Sequence, residues 1–346
     1  DSVRKAAIIT MRYVTIKDIA AELGISKSTV SRALNGDTNN VSRETLKKIV
    51  DVADRLGYRR NEMAVNLRSK SNHMIGIVVP EITTPFSMSF ITVVQQHLHA
   101  LGYGVSIAFS DEDPRIERAN LDMLNKARVD GFIISTCHTS ANLDVYESFL
   151  RRRIPLVFFD RTIPSLDVPC VKSNDYIKSF FLVENLIYNG KRKILHLAGP
   201  DHIQNALERR QGWNEALEKF HLPHSAEYVI PCGVGLEDGA KAIDTALAGG
   251  LEFDSVFCFT ETQALGAKRC LQEHNRRIPA DVAICCMSGT VLSTLVYPQI
   301  TSVEQQVDAM ASTAVDLLME KIEDFTCPNR SIVLDSKIVR RASTEG

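Results

Sequence analysis

Thr15-Ile-Lys-Asp-Ile-Ala-Ala-Glu-Leu-Gly-Ile-Ser-Lys-Ser-Thr-Val-Ser-Arg-Ala-Leu-Asn35 is the stretch that decides how the first part of the chain folds. Ile16, Ile19, Ala20 and Leu23 fall at i, i+3, i+4 and i+7, so the spacing predicts a helix with one apolar face. Gly24 permits the tight turn that a branched residue resists. Ser26 is placed to cap a second helix, whose Val30, Ala33 and Leu34 make the next apolar stripe. Lys27, Ser28, Ser31 and Arg32 stay outward near the start of that helix. Basic and hydroxyl side chains on the first turns of a braced helix suit a helix-turn-helix entering a DNA major groove. The plainer alternative is a helical hairpin with a solvated polar face.

The flanking residues favour DNA. Ser42 can cap a third helix in which Leu46, Ile49, Val50, Ala53 and Leu56 form the apolar stripe, and Gly57 stands where a helix stops. From Met11 to Lys70 there are 12 Lys and Arg against 7 Asp and Glu, a surplus of +5 in a chain whose net charge is −2. A basic head on an acidic remainder is the electrostatic footprint of a DNA-binding module. Residues Arg59 to Asn72 are polar, and by composition they read as a linker. Asn61 to Arg68 could make two helical turns, although a helix that short is unstable alone in water.

From Met74 onward, strand-like apolar runs alternate with amphipathic helices. Ile75–Val79, Gly104–Phe109, Gly131–Ile134 and Leu156–Phe159 are separated by the helical stretches Phe86–Ala100, Pro114–Ala127 and Asn142–Arg152. The rhythm repeats with strands at Ile194–Leu197, Tyr228–Ile230, Val256–Phe259 and Val282–Cys286, among helices Ile177–Tyr188, Ala206–Phe220, Asp238–Ala248 and Gln263–Asn275. Such alternation implies an α/β class with right-handed crossovers and parallel sheets. Roughly 270 residues suit two such sheets better than one. The expected body is therefore a periplasmic-binding-protein-like clamshell, with a ligand crevice at the carboxyl ends of its strands.

Several function classes lack support. No run approaches the ~20 apolar residues that span a bilayer, and the start shows no basic-then-apolar export signal, so no membrane partner and a cytoplasmic location are expected. The eight cysteines are scattered without Cys-x-x-Cys spacing, which favours reduced thiols over disulfides or a zinc site, so no metal is expected. His97 and His99 diverge on a helix and make no metal pair. There is no dinucleotide or Walker fingerprint and no nucleophile elbow, so neither a cofactor nor catalytic residues are expected.

The particular residues also carry a resemblance. Val14-Thr15-Ile-Lys-Asp-Ile-Ala, Gly24-Ile-Ser, Thr29-Val-Ser-Arg32, Val41-Ser, Gly57-Tyr58 and Asn61 resemble the head of lac-repressor (LacI/GalR) family transcriptional regulators. Weaker markers continue in order through the body: Val129-Asp-Gly-Phe-Ile-Ile134, Phe159-Asp-Arg161, Leu197-Ala-Gly-Pro200, Gly212-Trp213, Ala264-Leu-Gly-Ala267, Thr301-Ser-Val303 and Arg341-Ala-Ser-Thr344. The resemblance begins after residue 10, so Met11 is expected to be the initiator, a genuine N-terminal arm being the alternative. It implies a helix-turn-helix domain over 11–59, a hinge over 60–72 and an effector-binding, dimerising body over 73–346. Lobe 1 of that body takes 73–172 and 302–330, lobe 2 takes 173–301 and 331–346, and the chain crosses near Lys172–Asn174, Ile300–Val303 and Asn329–Ser331.

The implied partners are a palindromic double-stranded DNA operator, a second copy of the chain and a small carbohydrate-related effector. The implied function is sequence-specific regulation, as a repressor. Thr15, Ser26, Lys27, Ser28, Thr29, Ser31, Arg32 and Asn35 are the head residues carried over as DNA-binding, with Asn61, Ala64, Leu67 and Arg68 in the hinge. Leu67 would be an apolar wedge in the minor groove. Arg60 departs from the family by standing where proline is usual. Effector-contacting positions map onto Phe86, Asp160, Arg209, Thr260 and Ser288. Here too there are departures: Thr260-Glu261 replaces an Asn-Asp pair, Cys286-Met-Ser-Gly289 replaces a Gly-aromatic-Asp-Asp run, and Val234 replaces an aromatic. Losing an amide, a carboxylate and a ring argues against a standard monosaccharide and keeps an effector-independent DNA-binding regulator in view. A solute-binding protein or a sugar-modifying enzyme on the same body is the third reading, opposed by the head motif.

Overall fold

In the computed structural model, which describes residues 14–34, 41–58 and 71–345, helix α1 (Ile16–Leu23) starts at a capping pair. The Asp18 carboxylate accepts from the backbone N–H and the hydroxyl of Thr15, at 2.8 and 2.7 Å. Gly24 closes the helix at φ 64°, a left-handed conformation that costs a Cβ-bearing residue free energy. Helix α2 (Lys27–Leu34) follows after two residues, with the Ser26 hydroxyl accepting from the Thr29 N–H at 3.1 Å. Helix α3 (Arg43–Leu56) is capped by Ser42 and ends at Gly57, φ 69°. The three helices enclose a small core of Ile19, Ala20, Val30, Ala33, Ile49, Val52 and Ala53.

One stripe residue differs from expectation. Val50 is 41% exposed, whereas Val52 is buried. The buried line runs Leu46, Ile49, Val52, Ala53 and Leu56, and Val50 lies about 100° round the helix from Ile49. Arg55 on α3 pairs with Glu22 on α1. The positions Asn35, Asn61, Ala64, Leu67 and Arg68 lie outside the described residues.

The chain divides into two units, Asp1–Asn72 and His73–Gly346. The second alternates strand and helix: β1 (Met74–Val79), α4 (Pro85–Ala100), β2 (Gly104–Phe109), α5 (Pro114–Lys126), β3 (Gly131–Ile134), α6 (Leu143–Arg151), β4 (Leu156–Phe159) and β5 (Cys170–Ser173). There follow α7 (Asp175–Tyr188), β6 (Ile194–Ala198), α8 (Gln204–Lys219), β7 (Val229–Pro231), α9 (Leu236–Ala248), β8 (Ser255–Cys258), α10 (Glu261–Glu273) and β9 (Ala283–Cys286). The last elements are β10 (Thr301–Glu304), α11 (Val307–Glu323), β11 (Ser331–Leu334) and β12 (Lys337–Val339). One sheet has the order β2-β1-β3-β4-β5-β11 and is parallel throughout. The other has the order β7-β6-β8-β9-β10-β12, parallel except for β12, which runs antiparallel to β10. Central strands such as Val256–Cys258 are wholly buried, as helices on both faces require.

The sheets fix where the chain crosses between lobes. The first crossing is at Asn174, between β5 and α7. The second and third lie beyond the expected Ile300–Val303 and Asn329–Ser331. Thr301 and Ser302 extend the second sheet by pairing with Cys285 and Cys286, and Ser331–Leu334 extends the first by pairing with Cys170–Ser173. The actual crossings are the polar pairs Gln305-Gln306 and Asp335-Ser336. They are tied to one another: the Gln306 side chain donates to the Asp335 carbonyl at 2.6 Å, Asn174 Nδ2 to Asp335 Oδ1 at 2.6 Å, and the Ser336 N–H to Asn174 Oδ1 at 3.0 Å. The terminal Arg341-Ala-Ser-Thr344 marker closes the second lobe. Ser343 Oγ donates to the Ile284 carbonyl at 2.6 Å and accepts from the Thr301 N–H at 2.8 Å.

Candidate functional site

Among the head residues singled out by sequence, Lys27, Ser28 and Arg32 are exposed on α2, and Thr29 and Ser31 are half-buried. Ser26 Oγ lies 2.7 Å from Ser28 Oγ and 2.8 Å from Thr29 Oγ1, so the three hydroxyls form one cluster at the helix start. The hydroxyl cluster and Lys27 at the helix start, with Arg32 in its last turn, give α2 an exposed polar and basic face suited to a phosphate backbone and base edges.

In the body, Phe86, Asp160, Arg209, Thr260 and Ser288 line a single cavity between the lobes, with about 730 Å³ of atom-free space including its open mouth. Lobe 1 supplies Phe86 from the first turn of α4 and Asp160 from the end of β4. Lobe 2 supplies Arg209 from α8, Thr260 from the N-cap of α10 and Ser288 from the loop after β9. Asp160 and Ser288 both hold positive φ, 54° and 56°, conformations uncommon outside glycine and aspartate or asparagine.

Their side chains are not equally available. Arg209 is 2% exposed: its Nε donates to Asp175 Oδ1 at 2.6 Å, Nη1 to the Phe259 carbonyl at 2.7 Å and Nη2 to Ser288 Oγ at 3.1 Å. The guanidinium also lies 4.6 Å from the centroid of the Phe259 ring. Three of its five N–H donors are thus engaged within the protein, which leaves two for a ligand. The Thr260 hydroxyl caps α10 through the Gln263 N–H at 3.1 Å and donates to the Val234 carbonyl at 2.9 Å, so it shapes the wall. Asp160 accepts at Oδ1 from Gln305 Nε2 at 3.0 Å, a residue of the second crossing that also donates to Ser173 Oγ at 2.9 Å. The carboxylate is thereby attached to the strap that joins the lobes.

Sequence reasoning missed four contributors. Asn205 is 4% exposed, lines the cavity, and its Oδ1 is buried with no hydrogen-bond partner. Its signal was present: it precedes Arg209 by four residues on one helix face. Phe159 and Phe259 add aromatic walls where Val234 had suggested the loss of one. Asp175, at the start of α7, is the hidden partner of Arg209. Burial pushes its carboxyl up to about 6, with Arg209 pulling it back and Asp160 and Glu208 pushing it further up.

The remaining lining charges are engaged by partners within the protein. Glu81 accepts five hydrogen bonds from Thr83, Thr84 and Ser87. Burial alone would raise its pKa, and those bonds outweigh it, so the carboxyl lies below its usual range. Glu261, where the resemblance places an aspartate, is turned into the loop beyond β9 and accepts from Thr290 and Ser293. Arg161 pairs with Glu112 at 2.7 Å.

A helix-turn-helix unit joined in one chain to a two-lobed, cavity-bearing body defines a ligand-responsive DNA-binding regulator. Residues 15–61 match the family profile "Bacterial regulatory proteins, lacI family", and residues 72–338 match "Periplasmic binding proteins and sugar binding domain of LacI family". The chain belongs to the LacI family of transcriptional regulators. It is 28% identical over 332 residues to the ribose operon repressor of Halalkalibacterium halodurans, covering 96% of this chain and 97% of that protein. It is 27% identical over 332 residues to the HTH-type transcriptional repressor PurR of Mannheimia succiniciproducens, covering 96% and 98%. Among solved structures, the CelR–cellobiose complex is 25% identical with a TM-score of 0.73, covering 95% of this chain and 99% of that one. The lac repressor dimer bound to operator and the anti-inducer ONPF has the same fold, with a TM-score of 0.83 at 23% identity over 97% and 100% of the two chains. These relatives are named as regulators of transcription. No helix among the described residues is long and apolar enough to cross a membrane.

Proposed function

We propose that this regulator represses transcription as a homodimer on a palindromic operator, and that an uncharged, polyhydroxylated effector in the inter-lobe cavity sets its affinity. The observation that carries the effector class is the charge arrangement of the cavity. Both lining cations are already paired, Arg161 with Glu112 and Arg209 with Asp175. An anionic ligand would therefore face the Asp160 carboxylate with no uncommitted cation to receive it. Neutral hydroxyls find matched partners instead: acceptors at Asp160 and Asn205, donors at Arg209, and the faces of Phe86, Phe159 and Phe259 for the apolar side of a ring. The CelR–cellobiose complex supports a carbohydrate or a close derivative.

Titration calorimetry of the intact chain against neutral sugars, polyols, sugar phosphates and nucleobases tests this. Saturable binding is expected from a neutral hydroxylated compound, lost in Asp160→Asn and accompanied by a change in operator affinity. Binding confined to a phosphorylated or carboxylated compound would overturn the effector class. Binding by none would leave the effector-independent regulator.

At the DNA, Lys27, Ser28 and Arg32 read base edges, while Thr15, Ser26, Thr29, Ser31 and Asn35 position the helix. Asn61, Ala64, Leu67 and Arg68 form the hinge in the minor groove when two chains meet. The regulator acts in the cytoplasm, where it reaches its operator, and carries out no catalysis. Selection from random DNA should recover an inverted repeat, since one three-helix head makes too small an interface for selective binding. On that site Arg32→Ala should relax base preference at one position of each half-site, by ~1–3 kcal/mol if Arg32 donates to guanine O6 and N7. Equal weakening on every sequence would instead make Arg32 a phosphate contact.

A further inference from the structure

We propose that Asp244, Cys270 and His274 form a binding site for a thiophilic divalent cation, Zn²⁺ foremost, at the ends of α9 and α10 remote from the ligand cavity. Cys270 and His274 are four residues apart, on one face of the last turn and cap of α10. Asp244 reaches them from α9. Its Oδ1 accepts from Cys270 Sγ at 3.2 Å and lies 2.8 Å from His274 Nε2, and the three ligand atoms all fall within 4.8 Å of one another. One thiol, one imidazole and one carboxylate converging from two helices are the donor types of a Zn²⁺ site, and the sulfur and nitrogen argue against Mg²⁺ or Ca²⁺.

Cys270 is buried at the base, while the Asp244 and His274 side chains are 61% and 48% exposed. A cation can thus enter from solvent and keep a water as its fourth ligand. Two hydrogens, on Sγ and on Nε2, now fill the space between the donors. On binding, the Cys270 thiol releases its proton to solvent and the sulfur electron pair goes to the metal. The His274 ring gives up its Nε2 hydrogen to solvent, takes one from solvent at Nδ1, and coordinates through Nε2. Thiolate and carboxylate together then balance the dication.

The site would clamp helices that are already in backbone contact. A Cβ on Gly239 would lie 2.2 Å from the Gln263 carbonyl oxygen, and one on Gly266 1.8 Å from that of Leu236. Their opposite ends, at Val234 and Thr260, line the ligand cavity about 15 Å away, ten residues of helix at 1.5 Å each.

Titration of the full-length reduced protein with Co²⁺, followed by Zn²⁺, tests the assignment. One equivalent of Co²⁺ should produce a thiolate-to-cobalt charge-transfer band, abolished by one equivalent of Zn²⁺, and Zn²⁺ should raise the unfolding temperature. Both effects should vanish in Cys270→Ser and in His274→Gln. The exposed position of His274 keeps the test valid even where the buried cysteine variant fails to fold. Absence of the band in the wild type, or its persistence in His274→Gln, would overturn the proposal and leave the three residues a hydrogen-bonded staple.

Discussion

Gly266→Ala should destabilise the body by about 3 kcal/mol, the upper end of what overpacking costs. An added Cβ would meet the Leu236 carbonyl oxygen at 1.8 Å, its carbonyl carbon at 2.8 Å and the Ala240 nitrogen at 3.1 Å. All three are backbone atoms of α9, so no side chain can swing aside, and the two helices must separate. Separation would also disturb the hydrogen bonds from the Thr260 and Thr262 hydroxyls to the Val234 carbonyl, at 2.9 and 2.6 Å, which set one wall of the cavity. Gly249→Ala is the matched control. Its φ is −74°, its new Cβ would come no closer than 3.3 Å to any neighbour, and a change within ~0.5 kcal/mol is expected. Urea unfolding of the two variants beside the wild type decides the matter. Equal midpoints for the two substitutions would mean that α9 slides freely and that the close approach is not a constraint.

That glycine also shows what was legible in the chain and what was not. Ala264-Leu-Gly-Ala267 was visible as a marker, but nothing local says that its glycine meets the backbone of a helix beginning thirty residues earlier. The helix-turn-helix and the strand–helix rhythm were readable because caps, turns and apolar periods act over a few residues: Thr15 with Asp18, Gly24, Ser26, Ser42, Gly57. Where two periodic choices competed, as at Val50 and Val52, only the packing of α3 on its neighbours decided.

The crossings were misplaced because Thr301-Ser-Val303 and Ser331–Leu334 are short strands whose sheet is chosen by partners far away in sequence, at Cys285 and Cys170. For the cavity, position could be carried over and commitment could not. Thr260 and Ser288 line the wall, yet one hydroxyl is bound to a helix cap and the other accepts from Arg209. Glu261, read from sequence only as a departure from an Asn-Asp pair, proves to be committed to donors at Thr290 and Ser293.

Arg209→Met should cost about 3–5 kcal/mol at neutral pH, because it leaves the Asp175 carboxylate buried and unpaired. Asp175 is 1% exposed, and its Oδ2 already lacks a hydrogen-bond partner, so the guanidinium is the principal group holding a charge there. In the wild type the folded carboxyl sits at about 6, above an unfolded value near 3.9. Its contribution to stability is therefore full below about pH 4 and is lost as pH rises through 6. Removing Arg209 takes away the group that pulls the pKa back, so the folded value rises further and the loss extends to higher pH. The penalty of Arg209→Met should accordingly be smaller at pH 4.5 than at pH 7, where the unpaired carboxylate must either stay charged or take up a proton. Replacing both partners, Asp175→Leu with Arg209→Met, should recover most of the lost stability, since no buried charge then remains. Recovery will be incomplete, because the Phe259 carbonyl still loses its donor. Effector binding separates the two roles of the arginine: it should be absent from the single and the double variant alike. Restored stability without restored binding would assign Arg209 to the ligand as well as to the core. A double variant that regained binding would show the arginine to be a structural counter-ion alone, with Asp160 and Asn205 left to hold the effector.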